Sequence, residues 1–317
     1  MAFGNRPIVE LIYRGKGSPV RVLLLAGGAG GNVPIRHLLD DTVFQTFIVF
    51  VEYLTPSTPL PEHRLVLNAI GDADLEGPAL DAAESLLART TARVINSPSA
   101  VAITGRSDNA KRLADIPGVV TPGTVTVPRE QITGFAFPLL VRSPGFHTGR
   151  YFVKVDAREH LDAALESLPG EKLTVMRCLD ARGPDGKARK YRVMMIGGEL
   201  YPLHTAISSD WKVHYFTADM ANNPAHRAED RRFLENMAEV LGPKAMAALS
   251  EIERRLGLDY AGIDFGLNRD GELLLFEANA TMVVNPPEPD EKWAYRRAAV
   301  ERIFTAVRRM LIGRLAA

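Results

Sequence analysis

The first hundred residues are dominated by short apolar runs separated by turns and helix-like segments. The runs have the length and continuous apolarity of buried strands, and they are VRVLLLAGG (20–28), TFIVFVE (46–52), HRLVLNAIG (63–71) and ARVINSP (92–98). NVPIRHLLDD (32–41) and PALDAAESLLART (78–90) are expected to form helices between them. Strands that are buried on both faces need cover on both faces, so this region predicts a parallel α/β sheet flanked by helices.

Composition narrows the functional classes open to the chain. Its 317 residues are 46% apolar, and its 38 basic residues balance its 38 acidic ones, so no global charge favours nucleic acid or a membrane surface. Cys178 is the single cysteine, which excludes a disulfide within the chain and fits a reducing cytoplasm. No apolar run is long enough to span a bilayer.

The rest of the sequence predicts two further units. FPLLVRSPGFHTGRYFVKV (137–155) is typical of two strands around a Gly-rich loop, and Gly197-Gly198 is expected to turn a second hairpin. A helical region at 228–256 and an amphipathic helix at the C-terminus follow. We therefore expect domains at 1–105, 106–178 and 179–317.

GIDFGLNRDGELLLFEANA (262–280) carries the strongest chemical signal. A two-residue Asp270-Gly271 turn would pair Leu267 with Leu274, Phe265 with Phe276 and Asp264 with Glu277. Asp264, Glu277 and Asn279 would then share one outward face, where two carboxylates repel unless a hard cation such as Mg²⁺ lies between them. The alternative is a surface hairpin with solvated carboxylates, and a register slip of one residue would separate the pair.

This stretch resembles the metal-binding end of the ATP-grasp superfamily of carboxylate–amine ligases, in which an Asp and a following Glu-x-Asn bind magnesium. Four more segments are similar to that family in the expected order: NSPSAVAITGRSDNAKRLADIPGVVTPGT (96–124), the loop and strands at 137–153, LTVMRCLDA (173–181) and KYRVMMIGGELY (190–201). The resemblance implies a Rossmann-like N-terminal domain followed by a two-subdomain ATP-grasp fold.

The resemblance also implies a nucleotide site. Lys111 and Arg142 would hold ATP phosphates, and the loop backbone at His147, Thr148 and Gly149 would cap them. The adenine would lie against the hinge strand, at Met176, Cys178, Leu179 and Asp180. The alternative for Lys111 is a solvated surface lysine without a functional role.

Catalytic and metal roles follow from the same resemblance. Arg192 and Lys212 would stabilise developing charge, although Lys212 could equally be a surface lysine. Two Mg²⁺ ions, for which Mn²⁺ can substitute, would bind Asp264, Glu277 and Asn279. Gly28, Gly30, Asn32 and His214 are candidate substrate contacts.

Several positions depart from the family pattern. The usual Lys-Pro pair is Arg142-Ser143 here, the Asp of the Asp-x-Arg strand is Lys190, and Gly262 stands where D-alanine ligases carry an Arg. Recognition of the acceptor therefore cannot be transferred from the family.

The implied reaction joins a small-molecule or peptide carboxylate to an amine, with an acyl phosphate as intermediate and ADP as product. The alternatives are a small-molecule kinase, a silent ATP-binding module, and a dinucleotide-binding dehydrogenase with Glu52 on the ribose. The sequence disfavours the dehydrogenase, because the spacing of Gly27, Gly28, Gly30 and Gly31 does not match the dinucleotide-binding motif G-x-G-x-x-G. The sequence leaves open whether the chain forms a homodimer.

Overall fold

The computed structural model describes residues 7–146, 149–213 and 218–315. In this part of the chain, fourteen strands form three sheets. The strands are β1 (Ile8–Glu10), β2 (Val20–Ala26), β3 (Phe44–Phe50), β4 (Leu65–Asn68), β5 (Arg93–Ile95), β6 (Val119–Val120), β7 (Val125–Pro128), β8 (Leu139–Arg142), β9 (Phe152–Val155), β10 (Lys172–Arg177), β11 (Ala188–Ile196), β12 (Glu199–Ser208), β13 (Tyr260–Leu267) and β14 (Leu273–Asn279). The α-helices are α1 (Gly77–Leu87), α2 (Pro98–Ala102), α3 (Arg106–Arg112), α4 (Leu161–Glu166), α5 (Pro224–Glu235), α6 (Met237–Leu256) and α7 (Arg297–Gly313).

The first sheet confirms the parallel α/β prediction. Its strands lie in the order β1-β3-β2-β4-β5, and only β1 runs antiparallel to its neighbour. The predicted helix at 32–41 is wrong. A single turn forms there, in which the amides of Leu38 and Leu39 donate to the Ile35 carbonyl. The turn ends at Asp40, whose carboxylate accepts a hydrogen bond from the Thr42 amide.

The second sheet is antiparallel, in the order β7-β10-β8-β9. One face packs on α4 through a separate hydrophobic core, in which Leu139, Val141, Leu173 and Val175 are almost fully buried. The other face is only half-buried. This small sheet therefore has one face that is buried in its own core and one face that is partly exposed.

The third sheet has the order β12-β11-β13-β14-β6 and carries α5, α6 and α7. Its strand β6 comes from residues 119–120, and Leu113 and Ile116 share its core. Residues 106–120 thus pack with the third sheet, although the sequence suggested that they belong to the small subdomain. The helical region at 228–256 is two helices, and α7 is the predicted amphipathic C-terminal helix, which buries Val300, Ile303 and Val307.

The hairpin at 262–280 has the predicted register only at its functional end. Asp264 lies opposite Glu277, but a β-bulge between Asp264 and Phe265 shifts the pairing, so that Phe265 pairs with Leu275 and Leu267 with Leu273. The turn is longer than two residues, because the Glu272 amide donates to the Asn268 side chain and the Asn268 amide to the Glu272 carbonyl.

No helix in the described ranges is long and apolar enough to cross a membrane.

Candidate nucleotide and active site

The site begins with an acidic pair on two adjacent strands of the third sheet. Asp264 on β13 is a direct cross-strand neighbour of Glu277 on β14, as the sequence predicted. The two differ in environment. Asp264 is only 3% exposed, whereas the Glu277 side chain is 29% exposed, so the prediction that both occupy an outward face is wrong for Asp264.

Asp264 is buried because two cations of β11 cover it. Arg192 lies directly across from it and donates from Nε at 2.5 Å and from a terminal nitrogen at 2.8 Å, and Lys190 Nζ lies 2.9 Å from Oδ2. Burial alone would raise the pKa of Asp264, but Arg192 and Lys190 outweigh it and hold that pKa well below its usual range. Arg192 is therefore an ion-pair partner of Asp264, and its predicted catalytic role stays a prediction.

Glu277 has a different cationic partner, one that the sequence analysis missed. Arg106, the first residue of α3, donates to Glu277 Oε1 at 2.6 Å and to Asp74 at 2.8 Å. The Asn279 amide donates to the same Glu277 oxygen at 3.0 Å. Burial would lower the pKa of Arg106, but the Glu277 and Asp74 carboxylates outweigh it and raise that pKa. Arg106 thereby joins the first and third sheets at the site.

Lys111 does not reach this cluster. It lies in the last turn of α3, five residues after Arg106, which is roughly 140° around the helix axis. Its side chain is exposed, which matches the alternative of a solvated lysine. Arg106, and not Lys111, therefore contacts the acidic pair, and the predicted role of Lys111 at the ATP phosphates stays a prediction.

The half-buried face of the small sheet presents a second group of cations. Cross-strand pairing aligns Arg142 with Phe152 and Thr174, and aligns Leu140 with Lys154 and Met176. Burial, followed by the positive charge of Arg106, lowers the pKa of Arg142. The charges of Arg142, on β8, and Arg106, on α3, therefore influence each other.

Lys154 is a further member of this face that the sequence analysis passed over. Strand alternation puts it on the same side as Phe152, and its side chain is 22% exposed and pairs with Asp156. The alternating pattern of FVKV (152–155) was the signal that could have revealed it.

The Gly-rich loop is held to the third sheet by Lys212. The Lys212 ammonium donates to the carbonyl of Gly149 and, at 3.3 Å, to that of Phe152. At the other end of the loop, Gly145 packs near Leu75 of the first unit. Lys212 thus tethers the loop. His147, Thr148 and His214 lie outside the described residues, so their predicted roles stay predictions.

The segment after β10, which the sequence suggested as an adenine-binding hinge, leaves one residue's backbone unpaired within the described part of the chain. The Cys178 amide donates to the Pro138 carbonyl at 3.3 Å, and burial raises the pKa of its thiol. Among the described residues, the backbone N–H and C=O of Leu179 have no hydrogen-bond partner. Asp180 is exposed and pairs with Arg182. The backbone of Leu179 is therefore free to hydrogen-bond with another molecule, and the predicted adenine contact stays a prediction.

Comparison with known proteins relates this arrangement to one fold. No family model matches the sequence, and no curated protein matches it. Solved structures do match. D-alanine–D-alanine ligase from Bacillus anthracis is 16% identical with a TM-score of 0.56, over 94% of this chain and 97% of that one.

Two further structures agree with that match. VanG D-Ala:D-Ser ligase from Enterococcus faecalis is 15% identical over 94% of this chain and all of that one, with a TM-score of 0.54. An ATP-grasp RimK domain protein from Sphaerobacter thermophilus is 17% identical over 92% and 100%, with a TM-score of 0.51. The chain has the ATP-grasp fold. The predicted fold class is confirmed.

In this ATP-grasp fold, side chains of the N-terminal unit hydrogen-bond to the backbone of the glycine loop at residues 27–31. Asn32 exchanges two hydrogen bonds with the backbone of Gly27, and the Gly28 amide donates to the Glu52 carboxylate. Asn32 and Glu52 therefore shape the loop, and the amide of Gly28 is already bonded. Gly30 has a φ of +132° and open space around it. Among the predicted substrate contacts that the structure describes, it is therefore the residue that a substrate can approach closely.

An acidic side chain behind this loop was also missed. Glu76 is 4% exposed and lies against Gly27 and Gly31. Burial first, and then the charges of Glu52 and Asp72, raise its pKa.

The predicted metal ligands fit a metal ion only in part. Among the described residues, no group of three or more His, Cys, Asp and Glu side chains is arranged to hold one. Both oxygens of Asp264 are bonded to cationic side chains, and the Asn279 oxygen accepts from Thr281. Only Glu277 has a carboxylate oxygen, Oε2, without a hydrogen bond in that part of the chain. The three-ligand site expected from the sequence does not fit this geometry.

Proposed function

We propose that this chain is an ATP-dependent, ADP-forming ligase that activates a carboxylate as an acyl phosphate and joins it to an amine. The observation that carries the proposal is the position of two guanidinium groups: Arg106, on α3, donates to Glu277 at 2.6 Å, and Arg142, on β8, interacts electrostatically with both Arg106 and Glu277. The ATP-grasp fold supports ATP as the substrate, and one of the matching structures is D-alanine–D-alanine ligase from Bacillus anthracis complexed with ATP.

The charge arrangement favours a polyphosphate ligand. Burial and the positive charge of Arg106 lower the pKa of Arg142, whereas the carboxylates of Glu277, Asp74 and Asp72 raise it. A polyphosphate near both guanidinium groups would bind favourably, because a guanidinium binds phosphate oxygens in a bidentate manner. A triphosphate lying between the small sheet and the third sheet satisfies both groups.

The proposed chemistry proceeds in two displacements. A carboxylate oxygen attacks the γ-phosphorus, the bond to the bridging oxygen breaks, and ADP leaves. The amine nitrogen then attacks the acyl carbon, loses one proton, and expels phosphate, which carries away one oxygen of the original carboxylate. Such transfers depend mainly on positioning and charge neutralisation, which Arg106, Arg142 and the Lys212-tethered loop would supply.

The other residues would bind and orient. The backbone of Leu179 would pair with adenine, with Met176 against the ring. Lys154 would hold a phosphate or ribose oxygen. Gly30 would border the substrate crevice. ATP enters such sites with Mg²⁺ bound to its phosphates, and Glu277 is the residue that we propose to contact that ion.

A silent ATP-binding module is the second candidate. The ion pairs of Asp264 with Lys190 and Arg192 favour it, because they occupy a carboxylate that the sequence assigned to metal binding. The two candidates differ in turnover. A ligase releases ADP and phosphate only when both a carboxylate and an amine are present, whereas a silent module binds ATP without consuming it.

The experiment is a screen of amino-acid and peptide carboxylates, each paired with amines, for phosphate release. A productive carboxylate is then labelled with ¹⁸O, and the released phosphate is analysed by mass spectrometry. One labelled oxygen per phosphate is expected. Phosphate release without label, or phosphorylated product without free phosphate, would exclude the acyl phosphate route and point to hydrolysis or a kinase.

Glu277→Gln is expected to lower kcat by at least about 100-fold while changing the free energy of unfolding by less than about 1 kcal/mol, because Glu277 lies at the rim. Glu272→Gln is the matched control, since Glu272 lies in the same hairpin and pairs with Lys244. Unchanged turnover in the Glu277 variant would remove Glu277 from the site.

A further inference from the structure

The most unusual feature of the site is a buried cluster of three charges. Asp264 is 3% exposed, and the side chains of Lys190 and Arg192 are 14% and 20% exposed. Three nitrogen–oxygen contacts of 2.5 to 2.9 Å join them. Both Asp264 oxygens are thereby bonded to cations of the chain itself.

This cluster follows from the strand geometry. Lys190 and Arg192 are two residues apart on β11, so their side chains leave the same face of the sheet. Arg192 lies directly opposite Asp264 in the register with β13, and Lys190 lies diagonally from it. Any β11–β13 pairing that keeps this register brings both cations to Asp264.

The charge of the cluster decides what else can bind there. Two cations and one carboxylate leave a net charge of +1 in a region shielded from water. A divalent cation placed on Asp264 would have to displace one cation and remain beside the other, and like charges at such distances repel strongly when little water separates them. Glu277 differs, since Arg106 and Asn279 bond only one of its oxygens.

We propose that the Lys190 ammonium replaces one of the two metal ions expected at this site, so that Asp264 is not a metal ligand and nucleotide binds with a single divalent cation. Lys190 then supplies permanently, from within the chain, the positive charge that a second ion would bring. The cation that accompanies the nucleotide contacts Glu277 at the rim. This inference rests on the proposed binding of ATP to the chain.

The test counts metal ions per bound nucleotide in the full chain. Radiolabelled adenylyl imidodiphosphate, which is not hydrolysed at the β,γ position, reports bound nucleotide. Free Mn²⁺, measured by its electron paramagnetic resonance signal during a titration, reports bound metal. We expect one Mn²⁺ per nucleotide in the wild-type chain, and no spectral coupling between ions.

Lys190→Met removes the ammonium at nearly constant length, and Arg192 still pairs with Asp264 in that variant. We expect it to bind two Mn²⁺ per nucleotide, the second at least tenfold more tightly than any second ion in the wild type. Two ions that share Glu277 would lie about 3.5–4 Å apart and give an exchange-coupled spectrum. Lys190→Gln is the second variant, should the methionine variant fold poorly.

Lys244→Met is the control, because Lys244 also pairs with a carboxylate of this hairpin, Glu272, but at the exposed turn. It is expected to keep one Mn²⁺ per nucleotide. Two coupled ions in the wild type, or one ion in both Lys190 variants, would overturn the inference while leaving ATP binding intact. Absence of bound nucleotide in the wild type would instead overturn the proposed function, and the inference with it.

Discussion

At the scale of single residues, Asp264 shows how burial changes the role of a carboxylate. The sequence placed it correctly opposite Glu277, because strand pairing follows from the alternation of apolar and polar residues. It did not reveal the ion pairs with Lys190 and Arg192, because β11 is distant in sequence and only the third sheet brings it alongside. The same limit hid Arg106, whose partner Glu277 lies 171 residues away.

The Asp264 cluster makes a prediction about stability. Asp264→Asn would leave Lys190 and Arg192 facing each other without a full negative charge, so we expect a loss of about 3 kcal/mol or more in the free energy of unfolding. Urea denaturation at pH 7 measures this change in the free energy of unfolding. Glu277→Gln, which alters a partly exposed carboxylate of the same hairpin, is measured for comparison. Equal and small effects of the two substitutions would mean that the buried cluster is not formed in solution.

Tyr191 makes a prediction about alkaline pH. Its ring packs between Phe233 and Phe265, and burial raises the pKa of its phenol to about 12. The unfolded phenol ionises near pH 10, so the stability that Tyr191 contributes is complete below pH 10 and falls as the pH rises toward 12. At pH 11 the wild type should have lost about 1.4 kcal/mol from this group.

Tyr191→Phe removes the ionisable hydroxyl, so the variant should lack that part of the alkaline loss. The measurement is the difference between wild type and variant in urea unfolding at pH 9 and at pH 11. A difference that does not change with pH would contradict the burial of the phenol.

At the scale of elements, the hairpin of β13 and β14 shows why a correct site can come from an incorrect turn. A two-residue turn would give the register seen at Asp264–Glu277. The structure has a longer turn, which displaces the pairing by one residue, and the bulge after Asp264 restores it. Bulges depend on packing with neighbouring strands, so the sequence of the hairpin alone does not specify this one.

The loop between β8 and β9 makes a prediction about Lys212. Because Lys212 donates to the carbonyls of Gly149 and Phe152, Lys212→Met should raise the KM for ATP roughly fivefold, as expected when the loop loses about 1 kcal/mol of hydrogen bonding, with little change in kcat. Lys172→Met, at an exposed position of β10, is the control. Steady-state kinetics separate the two parameters, and a large fall in kcat at unchanged KM would instead support the catalytic role expected from the sequence.

At the scale of the whole molecule, the first and third sheets are joined and the small sheet is separate. Asn96 exchanges two hydrogen bonds with the Tyr260 backbone, and one hydrophobic core continues from β2 into β13. The small sheet has its own core. Strand and helix patterns in the sequence suggested a boundary at residue 106, whereas residues 106–120 pack on the third sheet, because packing partners rather than local pattern decide where such a segment lies.

Under the proposed function, the nucleotide would lie between the separate small sheet and the joined pair of sheets. A crystal structure of the chain with adenylyl imidodiphosphate and Mg²⁺ tests that most directly. We predict triphosphate density within hydrogen-bonding distance of both Arg106 and Arg142, with adenine against Leu179. Nucleotide bound elsewhere, or an empty cleft at saturating nucleotide, would contradict the account.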